Sequence, residues 1–130
     1  MSVRLVWDTS ALLAYVSGDI RAVELGELLA AVVEGGDVTA IPALCLIAAY
    51  KGSDGEQRAK LIELTGDDDG PTVILPVLAA DVAPIAEFTD KLPYDLAHAA
   101  CAGLQQDALL GTYERARYAN SVNEDDILDL

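Results

Sequence analysis

The sequence predicts an α/β domain, a mainly parallel central sheet flanked by helices in three layers. Three observations lead there. Short strand-like runs alternate with helix-like segments along the chain, the pattern of βαβ units with right-handed crossovers. Glycine and proline punctuate many of the joins. At 130 residues, 52% hydrophobic and 23% charged, the chain has the size and composition of one folded domain spanning 1–130. No linker or internal repeat divides it.

Val3 to Trp7 reads as the first strand. Ser10 to Val16 follows as a short helix closed by Gly18, and Ile20 to Glu34 as a longer amphipathic one. In the latter Val23, Leu25, Leu28, Leu29, Val32 and Val33 recur near helical spacing, and Gly35-Gly36 stops it. Asp37 to Ile41 is expected as the second strand. Pro42 then opens a helix at its first position, where the missing N–H costs nothing, and the helix runs to about Lys51. Ser53-x-x-Glu56 has the form of a capping box and starts the next helix, to about Thr65.

Gly66 to Pro71 is an acidic turn, and Thr72 to Leu75 a third strand. Ala79 to Thr89 is helical, with Pro84 bending it or marking its true start. Pro93-Tyr94-Asp95 leads into a helix from Leu96 to Gln105. Ala108 to Leu110 is the fourth strand, Arg115 to Asn120 a turn or short helix, and Ile127 to Leu130 a last edge strand.

Composition narrows the chemistry. The net charge is −14, with only eight Lys and Arg, and those are scattered. Broad phosphate-backbone binding draws on Lys and Arg, so any RNA contact must be local or bridged by a cation. The same charge suits a basic protein partner. His98 is the only histidine, which removes most zinc sites. Cys45 and Cys101 lie in apolar segments without metal-ligand spacing and are expected as buried free thiols. No apolar run approaches the ~20 residues that span a bilayer. The N-terminus lacks a signal-peptide pattern, so the expected location is cytoplasmic, with no membrane association.

Three acidic residues stand where α/β folds place their sites, beyond the carboxyl ends of strands or at the start of a helix. Asp8 directly follows the first strand in Val6-Trp7-Asp8-Thr9-Ser10; its structural alternative is to cap the next helix. Asp95 opens the helix Leu96-Ala97-His98-Ala99-Ala100-Cys101, with capping again the alternative. Glu114 follows the fourth strand, with a solvated loop charge as its alternative. Clustered carboxylates repel unless a cation joins them, and hard oxygen ligands suit Mg²⁺ or Mn²⁺. Such ions activate water for attack on a phosphodiester without any side-chain nucleophile. Asp67-Asp68-Asp69 lacks the spacing of a calcium loop and reads as a solvated turn.

On these residues the chain resembles the PIN-domain family, in particular the VapC-like toxins of bacterial toxin–antitoxin pairs. The resemblance is carried, in order, by Leu5-Val6-Trp7-Asp8-Thr9-Ser10-Ala11-Leu12-Leu13, Ile41-Pro42-Ala43-Leu44-Cys45-Leu46 and Leu92-Pro93-Tyr94-Asp95-Leu96-Ala97-His98-Ala99-Ala100. It implies a PIN-like fold and a Mg²⁺- or Mn²⁺-dependent endoribonuclease. Asp8 and Asp95 match metal-binding positions, and Ser10 a polar residue supporting the first aspartate. Glu114 or Tyr113 falls at the fourth acidic position, which makes Glu114 the third catalytic candidate. It also implies a homodimer, an RNA substrate and an antitoxin-like basic protein partner. One position departs: Ala48 stands where the family carries a glutamate. With two firm carboxylates, metal should bind weakly or not at all. The alternative function is an inactive PIN-fold module that binds a protein partner or RNA.

Overall fold

The computed structural model describes residues 2–130. Five strands, β1 (Val3–Trp7), β2 (Val38–Pro42), β3 (Thr72–Leu75), β4 (Leu109–Thr112) and β5 (Ile127–Asp129), form one sheet in the order β3-β2-β1-β4-β5. Every neighbouring pair is parallel. Six α-helices connect and cover them: α1 (Thr9–Val16), α2 (Ile20–Glu34), α3 (Ala43–Lys51), α4 (Gly55–Thr65), α5 (Val82–Phe88) and α6 (Tyr94–Gln106). The chain moves from β1 outward through β2 to β3, then returns past β1 to β4. Right-handed crossovers therefore carry α1–α4 and α5–α6 to opposite faces, giving three layers.

Covering both faces explains why the central strands are apolar without alternation. Leu5, Val6 and Trp7 are all buried, as are Ala40 and Ile41. In α2, Leu25, Leu29 and Val32 face the core, whereas Val23 and Val33 stay exposed. Helix α6 is buried from Leu96 through Gly103 without a break. Its Ala and Gly residues let neighbouring elements approach from several sides, and it meets α3, α5, β1, β2 and β4.

Several boundaries differ from those the sequence suggests. Pro42 ends β2 and is the N-cap of α3, with Ala43 as the first helical residue. The capping box of α4 is one residue later, Asp54 with Gln57; the Ser53 hydroxyl instead donates to the Ala49 carbonyl of α3. A 3-10 turn over Ala79–Asp81 precedes α5, so Pro84 lies in the first turn of α5, where its missing N–H leaves no bond broken. Helix α6 starts at Tyr94, making Asp95 its second residue rather than its cap. Strand β4 continues through Gly111 and Thr112. Among the described residues, no helix is long and apolar enough to cross a membrane.

Candidate functional site

The direction of travel reverses between β1 and β4: β1 leads toward β2 on one side, β4 toward β5 on the other. In open parallel sheets, the crevice beyond the carboxyl ends of such a strand pair is where sites form. Asp8 follows β1 at this point, and its N–H reaches the Gly111 carbonyl of β4 at 3.4 Å.

Asp8 is fully buried, and its carboxylate is enclosed by donors. Oδ1 accepts from the Ser10 hydroxyl at 2.6 Å and from the Ala11 N–H at 3.2 Å, the second bond capping α1. Oδ2 accepts from the Thr112 hydroxyl and from the Tyr118 phenol, each at 2.7 Å. A carboxylate offers about four acceptor positions, so these contacts use all of them. The next layer is also fixed. Ser10 Oγ accepts the Tyr113 N–H at 3.0 Å, and Thr112 Oγ1 accepts the Glu114 N–H at 2.9 Å. Each hydroxyl thus gives its proton to Asp8 and takes a backbone donor in return. Burial and the neighbouring Asp8 charge push the Tyr118 phenol far above its ordinary value, keeping it protonated as a donor.

Asp95 stands at the same edge and is half-buried. Its Oδ2 accepts from the Thr9 hydroxyl at 2.6 Å, so consecutive residues 8 and 9 link the two aspartates. Its place in the first turn of α6 favours a negative charge. Cys45, on α3, donates its thiol to the Asp95 carbonyl at 3.1 Å. Burial, with Asp8 and Asp95 nearby, raises that thiol's pKa, so it remains a neutral packed group rather than a ligand.

The other candidates turn elsewhere. Glu114 is exposed, and its Oε2 pairs with Arg117 Nη1 at 3.1 Å. Tyr113 lies under the Arg21 guanidinium, 5.4 Å from the ring centre, and burial raises its phenol. From the end of β4 and the turn after it, Thr112 and Tyr118 are the residues that reach Asp8. Neither stands out in the sequence: a threonine ending a strand and a tyrosine in a turn carry no spacing signal. Ala48 is half-buried on α3 and brings no donor. His98 is buried; its Nδ1 accepts the Leu44 N–H at 3.3 Å. Asp67, Asp68 and Asp69 occupy an exposed turn.

These residues do not fit a Mg²⁺ or Mn²⁺ site as they are arranged. Such ions need oxygen ligands at about 2.0–2.2 Å with lone pairs to give. Asp8 has none free, Glu114 is exposed and paired with Arg117, and Asp95 alone remains. Among the described residues, no group of three or more His, Cys, Asp or Glu side chains is placed to hold a metal ion. A cavity of about 620 Å³ lies at the opposite edge of the sheet, among the amino ends of β1 and β4. No protein-family model and no curated protein sequence matches this chain.

Proposed function

We propose that the chain is a PIN-like domain that does not cleave RNA and acts as a binding module for a cationic protein segment. The observation that carries this reading is the saturation of Asp8. For Asp8 to ligate a metal, buried hydroxyls of Thr112 and Tyr118 would have to lose their acceptor, a cost of about 1–3 kcal/mol for each group left unsatisfied. A single further carboxylate, Asp95, offers little in exchange. The partner class follows from charge. At −14 the surface repels a phosphate backbone, and Arg4, Arg21, Arg115 and Arg117 already lie beside acidic side chains. The resemblance to toxin–antitoxin proteins points to the same class of partner, a basic protein.

The competing reading, a Mg²⁺- or Mn²⁺-dependent endoribonuclease, retains one supporting observation: Asp8 and Asp95 share the carboxyl edge of the sheet. Incubation of the protein with end-labelled single-stranded RNA in millimolar Mn²⁺ separates the two. The binding-module reading predicts no cleavage beyond that in chelator. Cleavage that requires Mn²⁺ and disappears in Asp95→Asn would replace it with the enzymatic one.

A further inference from the structure

The 620 Å³ cavity and a smaller one of about 270 Å³ share Phe88 and Ser121, so the two adjoin there as a groove. It crosses the edge of the molecule remote from Asp8. Its floor is apolar, with Val3, Phe88 and Val122 packed against the core. At its margin Leu104 is 73% exposed and Leu109 39%. The rim is acidic. Asp37, Asp107 and Asp126 line the larger hollow, and Glu87 and Asp90 the smaller, against Arg4 and Lys91. Arg4 is itself 3.8 Å from Asp37.

The carboxyl end of α6 adds to the negative field. A helix C-terminus carries partial negative charge and is normally matched by Lys or Arg. Here the last turn has no basic residue, and the capping position is Asp107. Asp107 is also the one non-glycine residue with positive φ among those described, at 51°, where glycine is the unstrained choice. A full negative charge thus sits on a negative helix end in a costly backbone conformation, beside an apolar trough.

We infer that this groove docks a cationic amphipathic peptide segment, with apolar side chains on the Leu104–Phe88 floor and Lys or Arg against Asp107 and Asp126. The inference rests on the binding-module reading and names its surface. A small polyamine would meet the rim but leave the floor and the two leucines uncovered. A second copy of this chain would bring the same acids to an isologous contact, like charge against like. RNA would meet the same repulsion.

The test uses the whole chain and a synthetic Lys/Leu peptide of about 15 residues, long enough to hold an amphipathic helix once docked. A Glu/Leu peptide of the same pattern and spermine serve as controls, with binding followed by calorimetry. The Lys/Leu peptide should bind, and the Glu/Leu peptide should not. Asp107→Gly combined with Asp126→Asn should weaken binding about tenfold while raising the melting temperature, since the left-handed strain is relieved. Leu104→Ser should weaken it too. Asp67→Asn with Asp68→Asn removes equal charge from a distant turn and should leave affinity unchanged. Four results overturn the groove: no binding of the Lys/Leu peptide, equal weakening by the turn variants, spermine displacing the peptide at matched charge, or self-association that the groove variants abolish. Mn²⁺-dependent RNA cleavage alongside groove-dependent peptide binding would instead remove the non-cleaving reading and leave the groove standing.

Discussion

Asp8 caps α1 through one oxygen and ties β4 and the following turn through the other, so three parts of the chain close on one carboxylate. The sequence exposes only half of this. A strand ending in Asp-Thr-Ser reads as either a site or a cap, and the structure makes the cap without excluding the rest of the carboxylate from other bonds. What is not legible is the remote half, because Thr112 and Tyr118 lie more than 100 positions away and their hydroxyls carry no local pattern. Tyr118→Phe removes one charge-assisted bond and should cost about 1.5–3 kcal/mol, measured by urea unfolding near neutral pH. The phenol's folded pKa is raised, so between its ordinary value of 10.0 and the folded one the native state holds more protons than the unfolded. Its contribution is full below pH 10 and falls as pH rises above it; Cys45 acts in the same sense from its ordinary 9.0. Tyr118→Phe should therefore lose less stability above pH 10 than the parent. An identical alkaline profile would show that the phenol is not held as described.

At the scale of elements, α3 depends on α6. Its N-cap is Pro42, which has no side-chain acceptor, so the opening N–H groups of the helix need one from elsewhere. His98 supplies it to Leu44, at 3.3 Å. An Nδ1 that accepts is unprotonated, and burial lowers the ring's pKa below its ordinary 6.5, against an opposing pull from Asp81. His98→Leu should cost about 1–3 kcal/mol at pH 8, by leaving the Leu44 N–H unpaired. As pH falls below 6.5 the unfolded chain takes up the proton first, so the parent loses stability that His98→Leu retains, and the two should converge. A gap that widens toward acid would contradict this. The helix-scale pattern was largely readable: β1, α2 and β3 have the ends that periodicity and turn residues suggest. Some errors are single-residue ones where two residues of similar chemistry compete, as Ser53 and Asp54 do for the cap of α4; others span two or three residues, at the starts of α5 and α6 and the end of β4. His98 as a cap for another helix was out of reach, because tertiary capping leaves no mark on the capped segment.

For the molecule as a whole, the all-parallel order puts Asp8 beyond the carboxyl ends of the strands, as the sequence suggests, and adds that β1 and β4 are the neighbours there; the fold then fills that crevice with its own hydroxyls. Charge distribution follows the same division. The carboxyl edge is matched by internal donors and by Arg21 and Arg117, while the amino edge sets Asp37, Glu87, Asp90, Asp107 and Asp126 against Arg4 and Lys91 around an apolar trough. The central claim is that Asp8 holds the fold together rather than a metal, and the melting temperature of Asp8→Asn in chelator tests it most directly. In a metal site without metal, removing one of two neighbouring carboxylates relieves repulsion, and the variant should be as stable as the parent or more so. In a saturated buried node, the amide turns an N–H₂ toward hydroxyls that need an acceptor, and about 2–4 kcal/mol should be lost. The account predicts a fall of several degrees; an unchanged or raised melting temperature would contradict it.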